Sequence, residues 1–165
     1  MDTVSIRPIR RGDRDGIEGL LNRATEFTRD EVACALELVD CSIEDGNEDE
    51  DYAVHCAESP EGGIIGFVCY GKTPLTRGTY DLYWIVIDPA RRREGMGRRM
   101  LAYLESVLRA KGARLLVAET SSQAAYAQAR SFYAKEGFRD ETRIRDYYAP
   151  GDDLVIYCKS YQAVK

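Results

Sequence analysis

The chain has 165 residues, of which 44% are hydrophobic and 31% are charged, and its formal net charge is −5 at pH 7. This length and composition predict a single globular domain that spans residues 1–165. The negative charge and the concentration of basic residues in one loop argue against a nucleic-acid partner. The N-terminal residues lack the apolar core of a signal peptide and no apolar run reaches the length of a membrane span, so we expect a cytoplasmic protein without a membrane partner.

The first predicted elements are a strand and two helices. Residues 5–8 predict a short strand, and residues 13–24 predict a helix with its apolar side chains on one face. A second helix is predicted to begin sharply after Thr28, because Thr28 and Glu31 have the spacing of a capping box.

An acidic segment follows at residues 44–51, where six of eight residues are Asp or Glu. This charge predicts a solvated loop. The alternative is that the segment attracts a cationic substrate, if it borders the binding pocket.

The rest of the chain alternates between strands and helices. Glycine turns and runs of β-forming residues indicate the strands, and apolar residues at helical spacing indicate the helices. In chain order, the prediction is a hairpin at 52–58 and 64–70, a strand at 79–87, a helix at 95–111, a strand at 114–119, a helix that Ser122 caps and Gly137 ends, and strands at 138–147 and 154–161.

The junction between the third helix and the strand before it has the composition of a phosphate-binding loop. Gly95 and Gly97 have no side chains to block a ligand, so backbone N–H groups at the helix start can converge on one anion. The arginines around them, Arg92, Arg93, Arg98 and Arg99, add positive charge. The P-loop pattern is absent, and Met100 stands where the dinucleotide pattern Gly-x-Gly-x-x-Gly requires its third glycine.

What remains, Arg92-x-x-Gly95-x-Gly97 after a strand that ends in Asp88-Pro89, resembles the acetyl-CoA pyrophosphate loop of the GNAT N-acetyltransferase superfamily. Residues 129–138, Ala-Arg-Ser-Phe-Tyr-Ala-Lys-Glu-Gly-Phe, resemble a second motif of that family, and the order of elements agrees along nearly the whole chain. The family often has Asn three residues before this alanine, whereas here the residue is Tyr126.

The resemblance implies an α/β (α+β) fold with a central mixed, mostly antiparallel, splayed sheet of about seven strands flanked by about four helices. It also implies acetyl-CoA as the cosubstrate, bound along the edge of an opened strand and at the glycine loop, and no metal. The cofactor-binding residues expected on this basis are Ile85, Val86, Ile87, Arg92, Arg93, Glu94, Gly95, Met96, Gly97, Arg98 and Phe132.

The family's chemistry implies roles for three residues. A primary amine attacks the acetyl thioester and must first lose a proton, for which Asp81 is the first candidate base and Glu119 the second, acting through water. Tyr133 is at the position of the family's general-acid tyrosine and would assist the departing thiolate. Each residue also has a purely structural interpretation: a strand-edge charge for Asp81, a polar strand terminus for Glu119 and a core aromatic for Tyr133.

The acceptor is less defined. The family places it between the first two helices, the strand that carries Asp81 and the C-terminal hairpin, so the expected wall residues are Phe27, Tyr80, Tyr83, Tyr147 and Tyr148. The C-terminal segment also resembles that of GNAT proteins that acetylate protein N-termini, so the acceptor is either a small-molecule amine or a peptide N-terminus. Many members of the family dimerise, and a homodimer stays open for this chain.

The lone histidine and the five cysteines point to packing. His55 has no partner at a recognised catalytic spacing, so we expect a packed or surface side chain. The cysteines show no zinc-binding spacing and are expected to be reduced. The main alternative to an enzyme is a non-catalytic GNAT module that binds acyl-CoA as a sensor or partner domain; a purely structural domain is disfavoured by the open glycine loop.

Overall fold

The computed structural model describes residues 3–46 and 51–161, which form four α-helices and seven β-strands. The elements in chain order are β1 (Ser5–Pro8), α1 (Arg14–Arg23), α2 (Arg29–Glu44), β2 (Ala53–Glu58), β3 (Ile64–Lys72), β4 (Thr79–Ile87), α3 (Met96–Ala110), β5 (Leu115–Ser121), α4 (Ala127–Lys135), β6 (Arg139–Ala149) and β7 (Asp152–Ser160). Part of the acidic segment, residues 47–50, lies outside the described residues, so its predicted role is not addressed by the structure.

The strands form one mixed sheet in the order β1-β2-β3-β4-β5-β7-β6. Every neighbouring pair is antiparallel except β4 and β5, which are parallel. The predicted fold class is therefore confirmed, with a mixed and mostly antiparallel sheet of seven strands and four helices.

The sheet opens in its middle, between β4 and β5. The two strands pair from Thr79 with Leu115 only as far as Leu82 with Ala118. Beyond that point β4 continues to Ile87 paired with β3 alone, and β5 continues to Ser121 paired with β7 alone. The facing edges of β4 and β5 therefore diverge, as the predicted splayed sheet requires.

A register shift in β4 coincides with the opening. Cys69 of β3 pairs with Trp84 and the adjacent Tyr70 pairs with Leu82, so Tyr83 is an extra residue on β4. Such a bulge changes which face the following side chains occupy. Tyr80 and Leu82 belong to the core beneath α3, whereas Val86 belongs to the core beneath α1 and α2.

Two hydrophobic cores cover the two faces of the sheet. One packs α3 and Tyr133 of α4 against the sheet, with Met100, Leu104 and Leu108 almost completely buried. The other packs α1 and α2 against the opposite face.

The helix starts agree with the sequence at one place and differ at another. The Thr28–Glu31 capping box is confirmed: the Glu31 N–H donates to Thr28 Oγ1 at 3.2 Å, and the Thr28 N–H donates to Glu31 Oε2 at 2.7 Å. The prediction that Ser122 caps a helix is wrong, because a 3-10 turn (Ala124–Tyr126) precedes α4. Ser122 Oγ instead accepts a hydrogen bond from the Asp153 N–H at 2.8 Å.

None of the helices in the described part of the chain is long and apolar enough to cross a membrane.

Candidate active site

A cleft of about 800 Å³ lies beside the opened half of β4. Its walls are the open edge of β4, the start of α3, α4 with the turn before it, and the segment between α1 and α2. Of the residues predicted from the family resemblance to bind the cofactor, all but Glu94 line this cleft, and Tyr133 lines it too. The sequence-predicted set is thus brought together in space around one cavity.

The loop that enters α3 is shaped to present backbone N–H groups to the cleft. Arg93 and Gly95 both have left-handed backbone conformations, with φ values of 71° and 76°. The first intrahelical bond of this turn runs from the Arg99 N–H to the Gly95 carbonyl, so the preceding N–H groups have no carbonyl within the helix. Converging N–H groups at a helix N-terminus form a favourable site for an anion such as a phosphate.

Gly97 has a packing requirement of its own. A Cβ atom at this position would lie 3.2 Å from Cε2 of Phe132 and 3.8 Å from Cγ1 of Ile87. The absent side chain therefore lets α3 approach α4 and the end of β4 closely, which sets the width of the cleft.

The arginines of the loop do not contribute equally to its charge. Arg92 forms an ion pair with Glu26 and its Nε donates to the Ile87 carbonyl at 3.3 Å, so its charge is already compensated. Arg91 pairs with Glu94 at 3.4 Å, and Arg98 lies 3.8 Å from Glu136. Within residues 3–46 and 51–161, Arg93 has no ion-pair partner. Among the arginines of the loop, Arg93 is therefore the clearest source of free positive charge, whereas Arg92 holds the loop against its neighbours.

Tyr133 of α4 is one of the residues that line the cleft. Its side chain is 7% exposed and packs against the rings of Phe132, Phe138 and Tyr157, with centroid distances of 5.2–5.8 Å. Its hydroxyl makes no hydrogen bond to any residue that the structure describes. Burial raises the pKa of Tyr133, so the phenol keeps its proton at neutral pH and can act as a donor.

The two candidate bases differ in their surroundings. Asp81 lies where β4 and β5 are still paired, opposite Val117, and its Oδ2 accepts a hydrogen bond from Thr73 Oγ1 at 2.7 Å. Glu119 lies one residue beyond the last β4–β5 pair and is exposed at the opening. Desolvation and the nearby charge of Asp81 raise the pKa of Glu119. Neither carboxylate belongs to the lining of the cleft.

The predicted acceptor-wall residues are not gathered around the cleft. Phe27 lines the cleft, and Tyr83, Tyr147 and Tyr148 are exposed. Tyr80 is a correction: it is 5% exposed and belongs to the core beneath α3, because it precedes the bulge and faces the other side of the sheet.

Sequence reasoning missed Trp84 and the pair formed by Tyr126 and Glu31. The rings of Phe27 and Trp84 meet edge to face with centroids 5.3 Å apart. The Tyr126 hydroxyl donates a short hydrogen bond to Glu31 Oε1, which joins the turn before α4 to the first turn of α2. The only sequence signal was the departure from the family's asparagine at position 126.

His55 and the cysteines lie outside this site. Nδ1 of His55 lies 2.9 Å from the Tyr103 hydroxyl, its Nε2 lies 3.3 Å from the Tyr70 hydroxyl, and burial lowers its pKa to about 4. It is therefore a packed, neutral histidine, as expected. All five cysteines are free thiols, and the described residues contain no His/Cys/Asp/Glu group suited to a metal ion.

Comparisons with known proteins agree with this geometry. A family model described as an acetyltransferase (GNAT) domain matches residues 50–140. A protein of the GNAT family from Desulfovibrio desulfuricans is 37% identical, covers 96% of this chain and 99% of its own, and superposes with a TM-score of 0.90. No curated protein sequence matches significantly.

Two more distant structures share the fold. The ribosomal-protein-S18-alanine N-acetyltransferase from Escherichia coli is 22% identical over 100% of this chain and 97% of its own, with a TM-score of 0.74. The PaiA N-acetyltransferase from Thermoplasma acidophilum, in complex with coenzyme A, is 18% identical over 96% of this chain and 99% of its own, with a TM-score of 0.73.

Proposed function

The chain belongs to the GNAT acetyltransferase family, and we propose that it transfers the acetyl group of acetyl-CoA to a primary amine of a small molecule or a peptide N-terminus. The observation that carries this proposal is the cleft at the opened half of β4, which has phosphate-binding geometry at α3 and the unpartnered hydroxyl of Tyr133 in its wall. We infer that the chain acts as a single cytoplasmic domain and needs no metal.

The cofactor would lie along the cleft with its pyrophosphate at the start of α3. The N–H groups of Met96, Gly97 and Arg98 would bind the phosphates, and the charge of Arg93 would add attraction. The pantetheine amides would pair with the β4 edge at Ile85–Ile87, where β5 has diverged and leaves backbone groups without a strand partner on that side. The coenzyme A complex of the PaiA relative supports a cofactor of this type.

The acceptor amine must be deprotonated before it attacks. An alkylammonium group has a pKa of about 10, so the reaction needs a base to remove its proton. We propose Glu119 for this role, through a water molecule, because it is exposed at the opening and its raised pKa makes it a better proton acceptor than an ordinary carboxylate. Asp81 lies in the paired part of β4 and accepts a hydrogen bond from Thr73. Its negative charge would help to keep the pKa of Glu119 raised.

The step conserves protons and electrons. A bond forms between the amine nitrogen and the acetyl carbonyl carbon, and the bond from that carbon to sulfur breaks with its electrons on sulfur. The ammonium proton passes to Glu119, and Tyr133 donates its proton to the departing thiolate. Because a thiol has a pKa near 8.5, a neutral phenol at this position lowers the barrier to its departure. The nitrogen of the tetrahedral intermediate still carries one proton more than the amide product, and this second proton returns through water to the Tyr133 phenolate, while Glu119 releases the first proton to solvent.

The test measures thiol release from acetyl-CoA with a panel of amines, including n-butylamine and a tetrapeptide with a free alanine N-terminus. We expect release with at least one acceptor, a product heavier by one acetyl group, and initial-rate lines that intersect because both substrates are bound together. Parallel lines would contradict direct attack. Binding of acetyl-CoA without release to any acceptor would favour the alternative, a non-catalytic acyl-CoA-binding module.

A further inference from the structure

The segment between α1 and α2 is attached to both walls of the cofactor cleft. On one wall, Glu26 forms its ion pair with Arg92 of the loop before α3. On the other wall, Tyr126 donates its hydrogen bond to Glu31 in the first turn of α2. Thr25, Glu26 and Phe27 line the cleft between these two attachments. The segment thus passes along the cleft as a strap with two anchors.

The Tyr126 anchor is integrated with the start of α2. Glu31 accepts the Tyr126 hydroxyl on Oε1 and the Thr28 N–H on Oε2, so one carboxylate joins the helix cap to the turn before α4. A hydrogen bond to a charged group is stronger than one between two neutral groups. Removing the hydroxyl would therefore weaken the hold on the α2 start without removing its capping box.

Phe27 lies between the two anchors. Through its ring contacts, a change at Tyr126 would alter the wall on the proposed acceptor side. Its ring centroid is 6.4 Å from that of Tyr126 and 5.3 Å from that of Trp84 on β4. The three rings form a row from β4 to the turn before α4. Trp84 and Glu119 both lie beyond the last β4–β5 pair, so the row begins where the sheet opens. We therefore expect the position of the row to limit how an amine approaches the acetyl group.

We propose that Tyr126 is a positioning and specificity residue for the acceptor: through Glu31 and Phe27 it fixes the wall against which the amine docks. The proposal rests on the proposed acetyl transfer. Tyr126 stands where the family often has asparagine. An asparagine side chain is too short to reach Glu31 in the same way, so the Tyr126–Glu31 anchor is a property of this chain.

The test compares Tyr126→Phe with Tyr161→Phe. The control also loses a phenol-to-glutamate bond, from Tyr161 to Glu105 at 3.3 Å, but Tyr161 and Glu105 are not part of the cleft lining. With n-butylamine and the alanine tetrapeptide, we expect Tyr126→Phe to raise the acceptor KM about 3- to 10-fold, the effect of losing part of one charged hydrogen bond. The kcat and the acetyl-CoA Kd should stay within about twofold, because Tyr133, Glu119 and the glycine loop are intact.

A second measurement uses Trp84, the only tryptophan in the chain, which contacts Phe27. If Tyr126 fixes Phe27, acrylamide should quench Trp84 fluorescence more strongly in Tyr126→Phe than in wild type or Tyr161→Phe. A double-mutant cycle with Glu31→Gln should show that the two substitutions are not additive in either measurement.

The outcomes separate the two proposals. An acceptor KM and quenching constant equal to those of Tyr161→Phe would overturn the role of Tyr126. Absence of thiol release in wild type would refute the proposed function, and with it the acceptor role that rests on that function. The quenching comparison would then still show whether Tyr126 holds the strap.

Discussion

The two sides of the cleft differ in whether backbone groups or side chains form them. The proposed cofactor side depends on the backbone: left-handed turns at Arg93 and Gly95, the close approach at Gly97, and the β4 edge released from β5. The proposed acceptor side depends on long side chains that meet across the fold, such as Tyr126 with Glu31 and Phe27 with Trp84. A site formed by backbone groups fails when one of its few glycines is replaced, but it tolerates substitution of the residues around it. A site formed by side chains changes its preference among ligands when a single side chain is replaced. We therefore expect cofactor binding to fail abruptly and acceptor recognition to change gradually.

The largest effect should come from blocking the backbone site. Gly97→Glu places a side chain against Phe132 and a negative charge where phosphate is expected, so acetyl-CoA affinity should fall by at least about 100-fold, more than 2.7 kcal/mol. Calorimetric titration measures this loss. Gly12→Glu is the matched control, because a Cβ at Gly12 meets nothing within 4 Å and Gly12 does not line the cleft. Equal acetyl-CoA affinity in both variants would contradict the assignment of the phosphate-binding site to the start of α3.

Removing the Tyr133 hydroxyl should affect the chemical step alone. Tyr133→Phe keeps the packed ring, so we expect kcat to fall about 10- to 100-fold while the acetyl-CoA Kd changes little, as for loss of a general acid. Tyr157→Phe is the control, since this neighbouring tyrosine is also buried but does not line the cleft. A kcat equal to that of the control at saturating acceptor would exclude Tyr133 as the acid.

Substitutions of Asp81 and of Glu119 should change the pH profile of kcat/KM in different ways. Asp81 raises the pKa of Glu119, so Asp81→Asn should let that pKa fall and move the acid limb of the kcat/KM profile to lower pH. Glu119→Gln should remove that limb and lower kcat/KM about 10-fold or more near neutral pH. If Asp81→Asn abolished the limb and Glu119→Gln left it in place, the roles would be reversed.

The last prediction concerns stability away from the site. The pKa of His55 is lowered to about 4, so the unfolded chain binds more protons than the folded chain between that value and the ordinary 6.5. The contribution of His55 to the free energy of unfolding should be complete above pH 6.5 and decrease by up to about 1.4 kcal/mol per pH unit as the pH falls toward 4. Urea unfolding of wild type and His55→Gln measures the difference, and equal slopes in both would contradict it.

Local signals explain how much of this molecule could be predicted from sequence. The bounds of β4 and the order of all elements follow from periodicity and turn residues, and the Thr28–Glu31 cap follows from a three-residue spacing. The glycine loop was predictable because the residues that determine its backbone conformation are adjacent in the sequence.

The remaining features depend on contacts between distant residues. The bulge at Tyr83 reverses the faces of the β4 side chains that follow it, and no periodicity marks a single extra residue. Tyr80 was expected in the acceptor wall from the family resemblance, but it belongs to the core beneath α3. The bond from Tyr126 to Glu31 joins residues 95 positions apart. Ser122 resembled a helix cap, but its hydroxyl bonds to the start of β7, which lies beside β5 only in the folded sheet.

Hydrogen–deuterium exchange of the full chain with and without acetyl-CoA would test the central claim most directly, because it locates the cofactor on the backbone. We expect acetyl-CoA to slow amide exchange at Ile85–Ile87 and at the start of α3, and to leave the outer strand β6 unchanged. Saturating acetyl-CoA that leaves both of those segments unprotected, or that protects only a different part of the chain, would contradict the assignment of this cleft as the acetyl-CoA site.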